Sequence, residues 1–243
     1  MIGGFIVSGN APKNVAVRGI GPSLASSGVN DVLADPTLEL RDATGALLLH
    51  NDNWQDDPTQ AAQLIALNLA PQNPSESGIV AVLQPGPYTA LLGGRNDGTG
   101  VGLVEVYDTN QATSSQLANI STRGFVQTGD NVMIGGFILG GGSGATSVAL
   151  RGIGPSLSQS GLDDVLADPT LELRDSDGAL LVSNDNWQDD STSATQLMVH
   201  GLAPQNPLES GIFTSLAPGA FTVILSGKNG GVGIGLVEAY AIQ

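Results

Sequence analysis

Carboxylates and carboxamides crowd two short strings of this chain. Asn51–Asp57 reads NDNWQDD, and Asn184–Asp190 reads the same. Asn51, Asp52, Asn53, Asp56 and Asp57 bring hard oxygens close together, as do Asn184, Asp185, Asn186, Asp189 and Asp190. Ca2+ takes about six to eight such oxygens, so these residues are the candidate metal ligands and Ca2+ is the one candidate cofactor. The strings are not EF-hand loops, because the turn glycine and the closing Glu are missing. The competing reading is structural: Asn and Asp cap turns with their own side chains, and Trp54 and Trp187 plug one end of a sandwich. An exposed Trp would instead offer a stacking platform for a sugar.

Other chemistries have weaker support. Gly21-Pro22-Ser23-Leu24-Ala25 has the outline of a G-x-S-x-G nucleophile elbow. A serine nucleophile needs a base, ordinarily His, and the only histidines are His50 and His200. Aligning the two halves puts His50 opposite Ser183 and His200 opposite Leu67, so neither recurs. A turn explains the Pro-Ser pair better. Glu39, Glu76 and Glu105 recur as Glu172, Glu209 and Glu238, and paired carboxylates are what glycoside hydrolysis requires. Arg18 and Arg41 recur too, so partly buried ion pairs are the better reading. Gly140–Gly144 reads GGGSG but lacks the Lys and helix of a P-loop; it reads as a flexible loop. Asn119-Ile120-Ser121 matches a glycosylation sequon. No constellation favours catalysis, and the expectation is a protein that is not an enzyme.

These strings belong to a repeat. RGIGPSL at Arg18–Leu24 returns at Arg151–Leu157, 133 residues on. VLADPTLELRD at Val32–Asp42 returns at Val165–Asp175, APQNP at Ala70–Pro74 returns at Ala203–Pro207, and GLVE at Gly102–Glu105 returns at Gly235–Glu238. Between the copies, Asp108–Ser121 is polar and has no apolar period.

Within each copy, short segments read as strands. In copy one these are Met1–Val7, Asn14–Arg18, Thr37–Arg41, Ala46–Leu49, Ile79–Leu83, Tyr88–Leu92 and Val101–Tyr107. Gln60–Leu67 is the one helical segment. In Thr37–Arg41, Leu38 and Leu40 point inward while Glu39 and Arg41 point out. The expected fold class is all-β: two tandem β-sandwich, jelly-roll-like domains. Repeat one spans 1–108, a linker spans 109–120, and repeat two spans 121–243.

The string VRGIGPSL…LADPTLELRD…NDNW…APQNP…GLVEVYD resembles a module found in tandem in large secreted bacterial proteins. Asp35–Tyr107 and Asp168–Tyr240 are also distantly similar to pre-peptidase C-terminal domains, through the L-x-L hairpin and the PG-x-YT strand. The resemblance implies a β-sandwich at a bacterial cell surface or outside the cell, in an accessory role, sometimes with calcium.

Composition is consistent with that setting. The chain has 243 residues, no Cys, and 23 Asp and Glu against 8 Lys and Arg, for a net charge of −15. Such a charge repels nucleic-acid phosphates, so no nucleic-acid partner is expected. No apolar run reaches the ~20 residues that span a bilayer, so no membrane insertion is expected. Met1–Ser8 does not read as a signal peptide.

The leading expectation is an extracellular structural repeat protein that self-associates head-to-tail into a fibre or filament. The alternative is a calcium-dependent accessory module that binds a glycan or protein. Copy two is preceded by STRGFVQTGDNV, which contains a strand-like segment, and copy one has no counterpart in this sequence. Repeat one is therefore expected to lack its first strand. The exposed surface is placed at Met1, Ile2, Phe5, Val7, Val15 and Val17, as an intermolecular interface.

Overall fold

The computed structural model describes residues 1–110, 114–140 and 144–242. They form two compact units, Met1–Ala118 and Asn119–Gln243.

Unit one contains β1 (Ile2–Ser8), β2 (Lys13–Ile20), β3 (Pro36–Arg41), β4 (Leu47–Asn51), helix α1 (Pro58–Ala66), β5 (Ser77–Leu83), β6 (Gly86–Gly94) and β7 (Leu103–Asp108). Next comes β8 (Gln116–Val126), which starts in unit one and continues into unit two. Unit two then has β9 (Met133–Leu139), β10 (Thr146–Ile153), β11 (Pro169–Arg174), β12 (Leu180–Asn184), α2 (Ser191–Val199), β13 (Ser210–Leu216), β14 (Gly219–Gly227) and β15 (Gly233–Ile242). Each segment expected as strand or helix from the sequence has its counterpart, shifted by a residue or two at the ends.

In unit two the strands run β13-β10-β15-β8 and β12-β11-β14-β9, all paired antiparallel. Counted along the unit, the first strand pairs with the last and the second with the seventh. That nesting is the jelly roll. In unit one the orders are β5-β2-β7 and β8-β1-β6-β3-β4, β8 being the strand that starts in this unit. This is the same roll, with no strand beside β7 among the described residues.

Alternation places the core. Leu38, Leu40, Leu171 and Leu173 are fully buried, while Glu39 and Arg41 between them form a surface pair at 2.6 Å. Aliphatic side chains supply most of the filling, as the scarcity of aromatics requires. Gly21 and Gly154 are needed sterically, since a Cβ there would collide with the carbonyl oxygens of Leu33 and Leu166.

Two expectations need correction. Residues 116–120 of the expected linker are strand, and Ser115 is buried against Ala11, donating to its carbonyl at 2.6 Å. Leu117 packs on the core of unit one. Of the rest, 111–113 lie outside the described residues, as do 141–143 of the glycine loop. The second correction concerns the expected interface. Phe5, Val7, Val15 and Val17 are at most 2% exposed and form the core of their own unit; Ile2 is half-buried and only Met1 is exposed. A jelly roll nests its first strand against its last, so the open edge lies at β7, far along the sequence from residues 1–17.

Leu40→Ala and Leu173→Ala remove equivalent core side chains. Each is expected to lower the stability of its unit by about 2–5 kcal/mol, measured by urea unfolding.

Candidate functional site

The most unusual group in each unit is a buried carboxylate. Glu76 is wholly inaccessible. Its Oε1 accepts the backbone N–H of Ser23 at 2.8 Å and of Gly21 at 3.2 Å. Its Oε2 accepts the Ser23 hydroxyl at 2.7 Å and the N–H of Asn73 at 3.2 Å. Its own carbonyl accepts Trp54 N–H at 2.8 Å. Glu209 repeats the arrangement with Gly154, Ser156, Asn206 and Trp187. A buried carboxylate without a cation is tolerable only when donors surround it in this way. Ser23 is therefore a ligand of an anion. It is the second residue of a short 3₁₀ helix, Pro22–Ser27, and this geometry replaces the nucleophile-elbow reading.

A second constellation lies on the outer face of β7. Arg18 Nε donates to Glu105 at 2.8 Å, its Nη1 to the Leu69 carbonyl at 3.1 Å, and its Nη2 to the Tyr107 hydroxyl at 3.1 Å. Tyr107 donates to Glu105 at 2.8 Å. Arg151, Glu238, Leu202 and Tyr240 repeat the set. In unit one, a hollow of about 110 Å3 opens between Arg18, Glu76 and Glu105.

Each NDNWQDD string divides its labour. Asn51 Oδ1 accepts Gly78 N–H at 2.8 Å and so ties β4 to β5. Asp56 accepts Asn53 N–H within the turn. Asp57 caps α1 by accepting from Thr59 and Gln60, the ordinary role of Asp at that position. Asn184, Asp189 and Asp190 do the same in unit two, with Asp190 capping α2. Trp54 and Trp187 are buried, 7% and 8% exposed, and pack on Leu64 and Leu197. They offer no sugar platform.

Asp52 and Asp185 are held by the protein's own cations. Arg95 meets Asp52 at 2.7 Å, while Lys228 meets Asp185 at 2.5 Å and Asp168 at 3.8 Å. One oxygen each of Asp35, Asp52, Asp168, Asp185 and Asn186 is buried and accepts no hydrogen bond among the described residues. Among the described residues, no three His, Asp or Glu side chains gather at metal-binding spacing.

His200 stacks on Phe213 at 5.4 Å. Asn119 of the sequon is buried in β8 and donates to the Ala239 carbonyl at 3.2 Å. Sequence reasoning found Glu76 as a recurring residue but not its role. The available signal was that RGIGPSL and APQNP both recur verbatim.

No protein-family model and no curated protein matches the chain, so neither the bacterial repeat module nor the pre-peptidase resemblance gains support. Solved structures of the Sulfolobus turreted icosahedral virus and of the STIV MCP each align at 12% identity, with TM-scores of 0.30 and 0.28. The alignments cover 98% of this chain and 85% and 90% of those chains. The VP2 subviral particle of infectious bursal disease virus aligns at 10% identity and TM-score 0.23, over 98% of this chain and 68% of that one. Scores at this level carry no argument, and the jelly-roll assignment rests on the strand order described above. Among the described residues, no helix is long and apolar enough to cross a membrane.

Glu76→Gln puts an amide N–H2 where only acceptors fit. It is expected to destabilise unit one by about 3 kcal/mol or more, given the cost of unsatisfied buried donors, seen as a lower urea midpoint for that unit alone.

The chain's three tyrosines, Tyr88, Tyr107 and Tyr240, all hold their protons more tightly than a free phenol. Burial is the main cause in each. The negative charge of Glu238 adds to it at Tyr240, which is pushed up to about 12. A folded pKa above the unfolded one contributes stability that is complete below the ordinary value of 10.0 and is lost as pH rises through the folded value. Absorbance titration of the native protein should show phenolate appearing only above that ordinary value, with denaturant restoring it.

Proposed function

We propose that the chain is a structural segment of an extracellular bacterial repeat assembly, built from jelly-roll units joined head-to-tail. One observation carries the reading. The charged residues that recur between the copies are spent on the fold itself: Glu76 and Glu209 on backbone N–H groups, and Arg18, Glu105, Arg151 and Glu238 on one another. Duplication has copied a scaffold together with its internal bracing. An accessory module that binds glycan through Ca2+ is the less supported alternative, because Asn51, Asp56 and Asp57 already hold backbone N–H groups and Asp52 already meets Arg95.

Sedimentation velocity with negative-stain microscopy tests the reading over a rising concentration series. The expected outcome is a mass that grows with concentration and particles that lengthen in one direction. A concentration-independent monomer overturns the assembly reading. If that monomer binds a glycan array only with Ca2+, the accessory-module reading replaces it.

A further inference from the structure

The sequence holds one Asn-Gly pair, Asn229-Gly230, in the loop between β14 and β15. Lys228–Gly231 is a closed turn, in which the Gly231 N–H donates to the Lys228 carbonyl at 3.0 Å. Asn229 sits at φ 55° and ψ 29°, and Gly230 at φ 77°. Two successive left-handed residues make this a type I′ turn. Asn229 is exposed, and its carboxamide meets no partner among the described residues. Among those residues, only the Thr128 methyl approaches the place a Cβ would take on Gly230, at 3.7 Å.

That geometry prepares one reaction. The backbone nitrogen of Gly230 closes a five-membered ring on Cγ of Asn229 only when it eclipses Cβ about the Cα–C bond. Eclipsing needs a ψ of about −120°, as at the first central position of a type II′ turn, whose φ of about 60° Asn229 already has. Rotating the single peptide between Asn229 and Gly230 converts one turn into the other and keeps the closing hydrogen bond. Gly230 permits the rotation, because without a Cβ it takes positive and negative φ alike.

We propose that Asn229 is a self-modification site, converting to aspartate and isoaspartate with water as the co-reactant. The bond from Gly230 N to Asn229 Cγ forms, the Cγ–Nδ2 bond breaks, and ammonia leaves with the Gly230 amide proton. Water then opens the imide ring. Breaking the new N–Cγ bond restores an ordinary backbone with an aspartate side chain. Breaking the original peptide bond instead routes the chain through Cβ and adds one atom to the turn. Either product sets a carboxylate beside Lys228, the cation that meets Asp168 and Asp185.

Unit one carries the matched comparison. Arg95–Gly98 is the same turn, closed by the Gly98 N–H on the Arg95 carbonyl at 3.0 Å, with Asn96 at φ 53° and ψ 41° and Asp97 at φ 60°. There the attacking nitrogen belongs to Asp97. Its side chain crowds the approach, and its negative charge disfavours loss of the amide proton.

The test holds the full chain at neutral pH and physiological temperature and maps digests by mass spectrometry over time. Conversion at Asn229 is expected to run about tenfold or more ahead of Asn96 and every other asparagine, the advantage of a positioned nucleophile. Asp97→Gly gives Asn96 a glycine neighbour at a φ that glycine takes without strain, and should bring Asn96 to the rate of Asn229. Conversion of Asn229 at the common rate of the other asparagines would overturn the inference. So would an Asn96 left intact in Asp97→Gly, or a chain that converts in urea but not when folded.

Discussion

A buried carboxylate, which meets no counter-cation among the described residues, governs each unit. Glu76 can stay inside only because several donors converge on it, and those donors sit far apart in sequence. Gly21 and Ser23 come from the turn after β2, and Asn73 from the loop before β5. Trp54, from the string before α1, binds the same residue through its carbonyl. Burial makes the interaction strong and makes its loss costly, so one residue fixes the ends of three connections at once, two through its carboxylate and one through its carbonyl. The two sheets can then be built from interchangeable Leu, Val and Ile, because alignment is set at the closed end of the roll.

The repeat, the strands and the inward faces were all legible in the sequence, because alternation follows directly from the pleat. Leu38 and Leu40 are as buried as their spacing requires. The turn-capping reading of NDNWQDD was also open to inspection, since Asp57 precedes Pro58 at a helix start. Two things were not legible. Two partners of Glu76, Gly21 and Ser23, lie more than fifty residues away, at separations of 55 and 53, and no local pattern encodes such pairings. The place of the missing strand was misjudged for a related reason. Sequence order puts a first strand next to the second, but the roll puts it next to the last.

Recurrence of a charged residue is often taken as a sign of chemistry. Here Arg18, Glu39, Arg41, Glu76 and Glu105 each have a mechanical explanation that can be checked atom by atom. Arg18 reaches a carboxylate and a phenol on β7 and the Leu69 carbonyl in the loop after α1. A guanidinium with several donors in one plane suits that bridging role. Asn51, Asp56 and Asp57 follow the same rule at smaller scale, each holding a backbone N–H.

One of these charges was not copied faithfully. Arg95 in unit one corresponds to Lys228 in unit two, yet both backbones donate to the equivalent Asp carbonyl at 2.9 Å, and both side chains reach the equivalent carboxylate. The backbone contact fixes where the side chain starts, and the carboxylate needs only one positive atom within reach. A forked group and a point charge serve equally well under those terms. The position therefore behaves as a charge slot rather than a residue slot, free to drift between basic side chains while the geometry around it stays put.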